Sequence, residues 1–262
     1  MTTFILFIGL FCLAEAQSFN SNQWSNPSMN RFYNPQNNQN NQNNQRGTNV
    51  SQLIVGSLMP IANGFDFVGS SSIITDNGQL FIVDTPNSGD TKNLNVMMQG
   101  LQSRGIQPSQ INYLITTHGH PDHFGQGHLF TNAKNLMGGF EIAGSAFTTT
   151  PLRQDKDAYN LTPNIELWNT PGHTAQDVSL IAHNTVCCGT VAVVGDLILS
   201  DQDVLNSTLS MSFAQEPVIA KMNRNRVICA SDYIVPGHGP MFRVTDQMRQ
   251  IAQCQGRLST DG

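Results

Sequence analysis

Three imidazoles and a carboxylate crowd into six residues, His118-Gly119-His120-Pro121-Asp122-His123, directly after the apolar run Tyr113 to Ile115 and the pair Thr116-Thr117. A strand that ends in a loop containing Gly and Pro points several side chains toward one spot at a sheet edge. Neutral imidazole and carboxylate are donors that suit a metal ion. The loop therefore has to close on a shared polar centre while the strand before it enters the core.

Composition divides the rest of the chain. Phe4 to Leu13 is unbroken apolar sequence followed by Ala14-Glu15-Ala16, the small-x-small pattern of a signal-peptidase site, so residues 1–16 read as a signal peptide and the mature chain as starting at Gln17. That run is well short of the roughly 20 residues that cross a bilayer, and no other segment approaches it, so no membrane span is expected. Residues 17–49 are rich in Asn, Gln, Ser and Pro, with an unbroken amide run from Gln36 to Gln45. They cannot bury enough apolar surface to order themselves and read as a disordered tail. Residues 50–262 are long enough for one domain with a real core. The sequons at Asn49, Asn160 and Asn206 fit a secreted glycoprotein.

Periodicity supplies a coarse fold. Leu53 to Leu58, Ser71 to Thr75 and Leu80 to Asp84 read as strands, the last two joined at Asn77-Gly78, a dipeptide suited to a tight hairpin. Leu94, Met97, Met98 and Leu101 share one helical face, with Asp90 as N-cap and Gly105 as stop, so these methionines are core packing. Further apolar strands are Val178 to Ile181, Val191 to Val194 and Tyr233 to Val235. The pattern is mixed α and β in layers.

The histidine-rich segment resembles the signature of the metallo-beta-lactamase fold superfamily, and the remaining motifs follow in order. His173 stands in Thr170-Pro171-Gly172-His173-Thr174, Asp196 in Val194-Gly195-Asp196, and His238 in Val235-Pro236-Gly237-His238-Gly239-Pro240. The resemblance implies an α+β fold, the αββα four-layer sandwich. It also implies two Zn2+ ions, with iron or manganese as alternative metals: one held by His118, His120 and His173, the second by Asp122, His123 and His238, with Asp196 between them. Asp84, in Val83-Asp84-Thr85-Pro86, matches another family motif and is expected to support the ligands from behind. His128 and His183 fall outside the pattern and read as solvated or packing residues.

That resemblance implies a metal-dependent hydrolase in which a metal-bridging hydroxide attacks an ester, thioester or phosphodiester, with Asp122 and Asp196 as the catalytic carboxylates. Zinc beta-lactamases of the common subclass carry a Cys in the second metal site, which this chain lacks. Only 41 residues separate Asp196 from His238, too few for the cap of RNA-processing members, and 24 follow His238, too few for a glutathione-binding helical part. A compact animal branch, regarded as an endoribonuclease on histone pre-messenger RNA, shares longer stretches, including Gly127-His128-Leu129-Phe130 and Gly189 to Asp196. RNA is therefore an alternative substrate to a small ester or thioester. Against it stand a formal net charge of −5, from 13 Lys and Arg and 18 Asp and Glu, and the lack of a basic cluster. No DNA partner is expected, and the oligomeric state stays open. A mononuclear iron persulfide dioxygenase of the same fold is a second enzymatic reading, and a non-catalytic secreted binding protein is the non-enzymatic one.

Of the five cysteines, Cys12 falls in the signal peptide. The other four invite disulfides in a secretory compartment, and Cys187 and Cys188 are each expected to pair with Cys229 or Cys254 rather than with each other. A zinc-thiolate site lacks the usual Cys-x-x-Cys spacing.

Overall fold

Side chains alternate between the two faces of a strand, and here both faces of two sheets are apolar, which calls for four layers. The computed structural model describes residues 47–255. β1 (Asn49–Ile54) leads to a separate hairpin of β2 (Ser57–Ile61) and β3 (Gly64–Val68), then to β4 (Ser71–Asp76), β5 (Gln79–Val83), helix α1 (Thr91–Gln102), β6 (Tyr113–Thr116) and the short helix α2 (Pro121–Phe124). With β7 (Lys134–Met137), β8 (Phe140–Ala143) and β9 (Ala146–Thr149) they form a seven-stranded sheet ordered β1-β4-β5-β6-β7-β8-β9. The second sheet takes β10 (Ala158–Thr162), β11 (Ile165–Asn169), β12 (Val178–Thr185), β13 (Gly189–Val193), β14 (Tyr233–Val235) and β15 (Phe242–Arg243) in sequence order. Helices α3 (Asp201–Leu205), α4 (Thr208–Phe213) and α5 (Pro217–Ala230) lie between β13 and β14, and α6 (Asp246–Ile251) follows β15.

Phe81 and Val83 of β5, with Ile74, Ile115 and Leu136, face Leu167, Leu180, Ala182, Val191, Val193 and Val235 in the core between the sheets. Their alternates point outward. Ile73 and Ile82 pack under Met97 and Leu101 of α1, while Ile181, Ala192 and Ile234 pack under Val227, Ile228 and Met248 of α5 and α6. Each fully buried aliphatic or Phe side chain contributes about 1.5–3 kcal/mol. This is the αββα sandwich read from the sequence.

Local signals behave as their chemistry requires. Asn77 and Gly78 both take positive φ, 47° and 77°, as a type I′ hairpin turn demands. Asp90 caps α1 by accepting from Asn93 N, and Met97 and Leu101 are fully buried. The strand expected over Leu53 to Leu58 divides in two. Gly56 sits so close to Gly237 O, Val68 O and Ser70 N that a Cβ there would collide with them, and the backbone turns away into β2.

The signal-peptide reading, and the tail reading as far as residue 46, lie outside the described residues. At the expected end of the tail, Thr48 is fully buried, donates to Asp76 Oδ1 at 2.8 Å and bridges to Thr185, and Asn49 already belongs to β1. No described helix is long and apolar enough to cross a membrane.

The expected cysteine pairing is overturned: Cys187 bonds its neighbour Cys188, and Cys229 bonds Cys254. The layers explain why. Cys188 lies in the β12–β13 turn against the core between the sheets, whereas Cys229 and Cys254 pack in the layer outside the second sheet. In the chain-entropy account of disulfides a longer closed loop stabilises more. Replacing Cys229 and Cys254 by Ala should lower unfolding free energy by about 3 kcal/mol in urea titrations, and the same change at Cys187 and Cys188 by less than half of that.

Candidate metal centre

Two parallel strand pairs, β5–β6 in one sheet and β13–β14 in the other, send their carboxyl ends to the same end of the sandwich. Groups placed just beyond such ends share a crevice. Thr117 O accepts from Val178 N at 2.9 Å and Gly237 O from Ser70 N at 2.7 Å, so backbone hydrogen bonds join the two sheets there.

Beyond β6 the chain places His118, His120 and, on α2, Asp122 and His123. The loop after β11 supplies His173, the 3-10 turn after β13 supplies Asp196, and the loop after β14 supplies His238. His120 Nδ1 lies 2.9 Å from His118 Nε2 and 3.0 Å from His173 Nε2. Asp196 Oδ2 is 3.6 Å from His118 Nε2 and 3.5 Å from His173 Nε2, while its Oδ1 is 3.1 Å from Nε2 of both His123 and His238. Asp122 Oδ2 stands 3.5 Å from His123 Nε2 and 3.8 Å from His238 Nε2. Two groups of donors emerge, His118, His120, His173 and Asp196 in one, Asp122, His123 and His238 in the other. Gly237 permits this approach, since a Cβ there would strike Asp196 Oδ1.

Hydrogen bonds outside the cage settle which ring nitrogens face inward. Asp84 turns through the left-handed region at φ 59°, which Asp tolerates better than most residues. Its carboxylate accepts from Thr117 N, Thr117 Oγ1 and His123 Nδ1 at 2.7, 2.7 and 2.8 Å. His238 Nδ1 donates to Val68 O at 2.9 Å, and His118 Nδ1 lies 3.1 Å from Thr117 Oγ1. With Nδ1–H spent in this way, the Nε2 lone pairs of His118, His123 and His238 point at carboxylate oxygens. The interior thus consists of acceptors facing acceptors. Asp122 Oδ2, His123 Nε2 and Asp196 Oδ1 are buried without a hydrogen-bond partner. A divalent cation supplies what these atoms lack, so the residues fit a metal centre.

Electrostatics agree. Burial pushes His118 well below the usual imidazole value, with His123 adding to the effect, and takes His173 down to about 4, so both rings are neutral donors at pH 7. Burial also opposes charge on His123 and His238, but Asp196 overrides it and raises both. Against its own burial, Asp196 is held well below the carboxylate range by His123 and His238. Positive charge is drawn to this point in either form, as protons on the two rings or as metal.

His128 is exposed, and His183 is part-exposed on β12, 3.6 Å from Glu166, so neither joins the centre. An aromatic group beside it was not singled out from the sequence. The Phe67 ring lies 5.3 Å from that of His238, and Phe65, Phe67 and Phe213 meet at 5.7 to 5.9 Å. Apolar residues alternating along a strand that stays exposed, Phe65 and Phe67 of β3, were the available signal.

Residues 64–139 match a sequence profile described as the metallo-beta-lactamase superfamily. An uncharacterized protein of Caenorhabditis elegans is 45% identical over 197 residues, covering 74% of this chain and 54% of its own length. Human metallo-beta-lactamase domain-containing protein 1 is 34% identical over 156 residues, covering 59% and 57%. The chain thus spans a little over half the length of these relatives. Among solved structures, an N-acyl homoserine lactone hydrolase with product bound at its catalytic metal centre superimposes with TM-score 0.53 at 15% identity, over 73% of this chain and 92% of that one. At that identity the likeness is one of fold.

Asp84 tests the arrangement without touching the cage interior. Asp84→Asn should weaken metal binding by about 10- to 100-fold in chelator competition, because the His123 ring loses the acceptor that orients it.

Proposed function

This chain belongs to the metallo-beta-lactamase superfamily, and on that premise we propose that it is a hydrolase holding two zinc ions and acting on an ester, thioester or phosphodiester. The observation that carries the reading is Asp196, whose Oδ2 faces His118 and His173, whose Oδ1 faces His123, and which meets His238 Nε2 with both oxygens, at 3.1 and 3.2 Å. Four imidazole and carboxylate donors on one side and three on the other suit zinc, with iron or manganese as the next choices.

His118, His120, His173 and Asp196 would hold one ion, and Asp122, His123 and His238 the second, with Asp196 reaching both. Ions bound there supply Lewis acidity, lowering the pKa of water toward about 7 and drawing charge from an acyl or phosphoryl oxygen. The protein's own groups do the rest. Asp122, its side chain 14% exposed at the rim, accepts a hydrogen bond from the attacking water and orients it. Asp84 and Val68 O hold the His123 and His238 rings so that their lone pairs do not turn away. Phe67, edge-on to His238, and its neighbours Phe65 and Phe213 keep water from that side and receive an apolar part of the substrate.

The same reading includes secretion. It is supported by the apolar run Phe4 to Leu13 with Ala14-Glu15-Ala16, and by two disulfides, since these persist in oxidising compartments. The sequon residues Asn49, Asn160 and Asn206 are all exposed, as glycosylation would require. In this proposal residues 1–16 are the signal, the amide-rich segment after it is a solvated tail, and the domain that follows carries the chemistry.

Elemental analysis of protein secreted and purified without chelator should give close to two zinc per chain; one iron per chain would point to oxygen chemistry instead. Asp196→Ala should cut hydrolysis of the best substrate from a screen of thioesters, lactones and RNA by about 10³-fold, equivalent to about 4 kcal/mol, in a chain that still folds. Full turnover in that variant would overturn the two-ion reading.

A further inference from the structure

Helix α5 lies outside the cage yet grips the backbone that carries it. Arg224, on the buried face of α5, donates from Nη1 to Leu197 O at 2.7 Å and to Asp203 Oδ2 at 2.7 Å, and from Nη2 to Asp203 O at 2.9 Å. Asp203 Oδ2 also accepts from Leu199 N at 2.9 Å. Leu197 directly follows Asp196, and the next two carbonyls, Ile198 O and Leu199 O, accept from Gly237 N at 3.0 Å and His238 N at 2.9 Å. One guanidinium therefore fixes the Asp196 turn at Leu197 and, by way of Asp203, at Leu199, which in turn holds His238.

Stability alone is a poor reason for this pair. Both side chains are 5% exposed, and replacing a buried ion pair by apolar residues is often neutral or stabilising. What the pair supplies is geometry, because a planar fork satisfies several acceptors in fixed relation whereas an ammonium is a point donor. We propose that Arg224 is a positioning residue for the metal centre, its pairing with Asp203 setting where Asp196 and His238 stand relative to each other. The proposal rests on the two-ion reading above.

Co2+ is the probe, with affinity measured by chelator competition and ligand geometry by its visible absorption. Arg224→Lys keeps the charge and loses the fork; it should bind Co2+ about 10- to 100-fold more weakly than wild type, with an altered absorption band. Leu101→Ala, on α1 and fully buried in the layer outside the first sheet, in a cluster that holds none of the ligand-loop residues, is the control for plain destabilisation. It should lower the melting temperature of the metal-free protein and leave Co2+ affinity and spectrum unchanged. An Arg224→Lys protein that behaves like Leu101→Ala overturns the proposal. If Arg224→Lys does not fold, Arg224→Gln carries the same test, since it keeps a side-chain donor for Leu197 O and loses the fork that also reaches Asp203. Wild-type protein that binds no Co2+ overturns the functional reading and this proposal together, whereas wild-type binding with unchanged variants overturns this proposal alone.

Discussion

One carboxylate meets four imidazoles at the end of the sandwich, and most of the structure around it serves to keep that meeting in place. Asp196 is buried, ionised and short of hydrogen-bond donors. Such a group is tolerable only where positive charge reaches it, either on His123 and His238 or on a metal ion. Two of the neighbouring rings are turned by an acceptor outside the cage, Asp84 for His123 and Val68 O for His238, so their lone pairs cannot swing away to water. The cage is tuned by what stands behind it as much as by the ligands themselves.

The sandwich provides the rigidity this needs. Strands β6, β13 and β14 end beside each other with their inward residues locked in the core between the sheets, so the loops leaving them start from fixed points. The ligand loops are then tied across the sheets by backbone hydrogen bonds, Val178 N to Thr117 O and Ser70 N to Gly237 O, and within the second sheet's end by His238 N to Leu199 O. A site built this way keeps its donors in position before any ion arrives, which limits the ordering cost of binding. The exposed hairpin of β2 and β3 is the exception: among the described strands it pairs only with itself, and it leans Phe67 toward the site.

Much of this was legible beforehand, for local reasons. Nearly unbroken apolar runs in β5, β12 and β13 put apolar side chains on both faces, because successive residues point to opposite sides, and two such sheets need helices outside them. Asp90 and the spacing of Met97 and Leu101 specify α1 because capping and helical periodicity act over a few residues. Where the reading failed, the deciding contact was distant. Gly56 breaks a strand because Gly237 and Val68 press on it, and the cysteines pair by layer, which no spacing rule reveals.

From its sequence alone, then, the chain specified the donor-rich segment His118 to His123 and the strands around it, since donor chemistry and periodicity are properties of short segments, while His173, Asp196 and His238 were marked by the resemblance of their motifs. Tertiary structure alone decided which ring nitrogen faces inward, which oxygen of Asp196 meets which imidazole, and that Arg224 and Phe67 border the centre. Those outcomes depend on partners such as His238 and Val68, 170 residues apart in the chain and 2.9 Å apart in the fold. Hydrogen-bond direction and close approach are set only when such segments pack together.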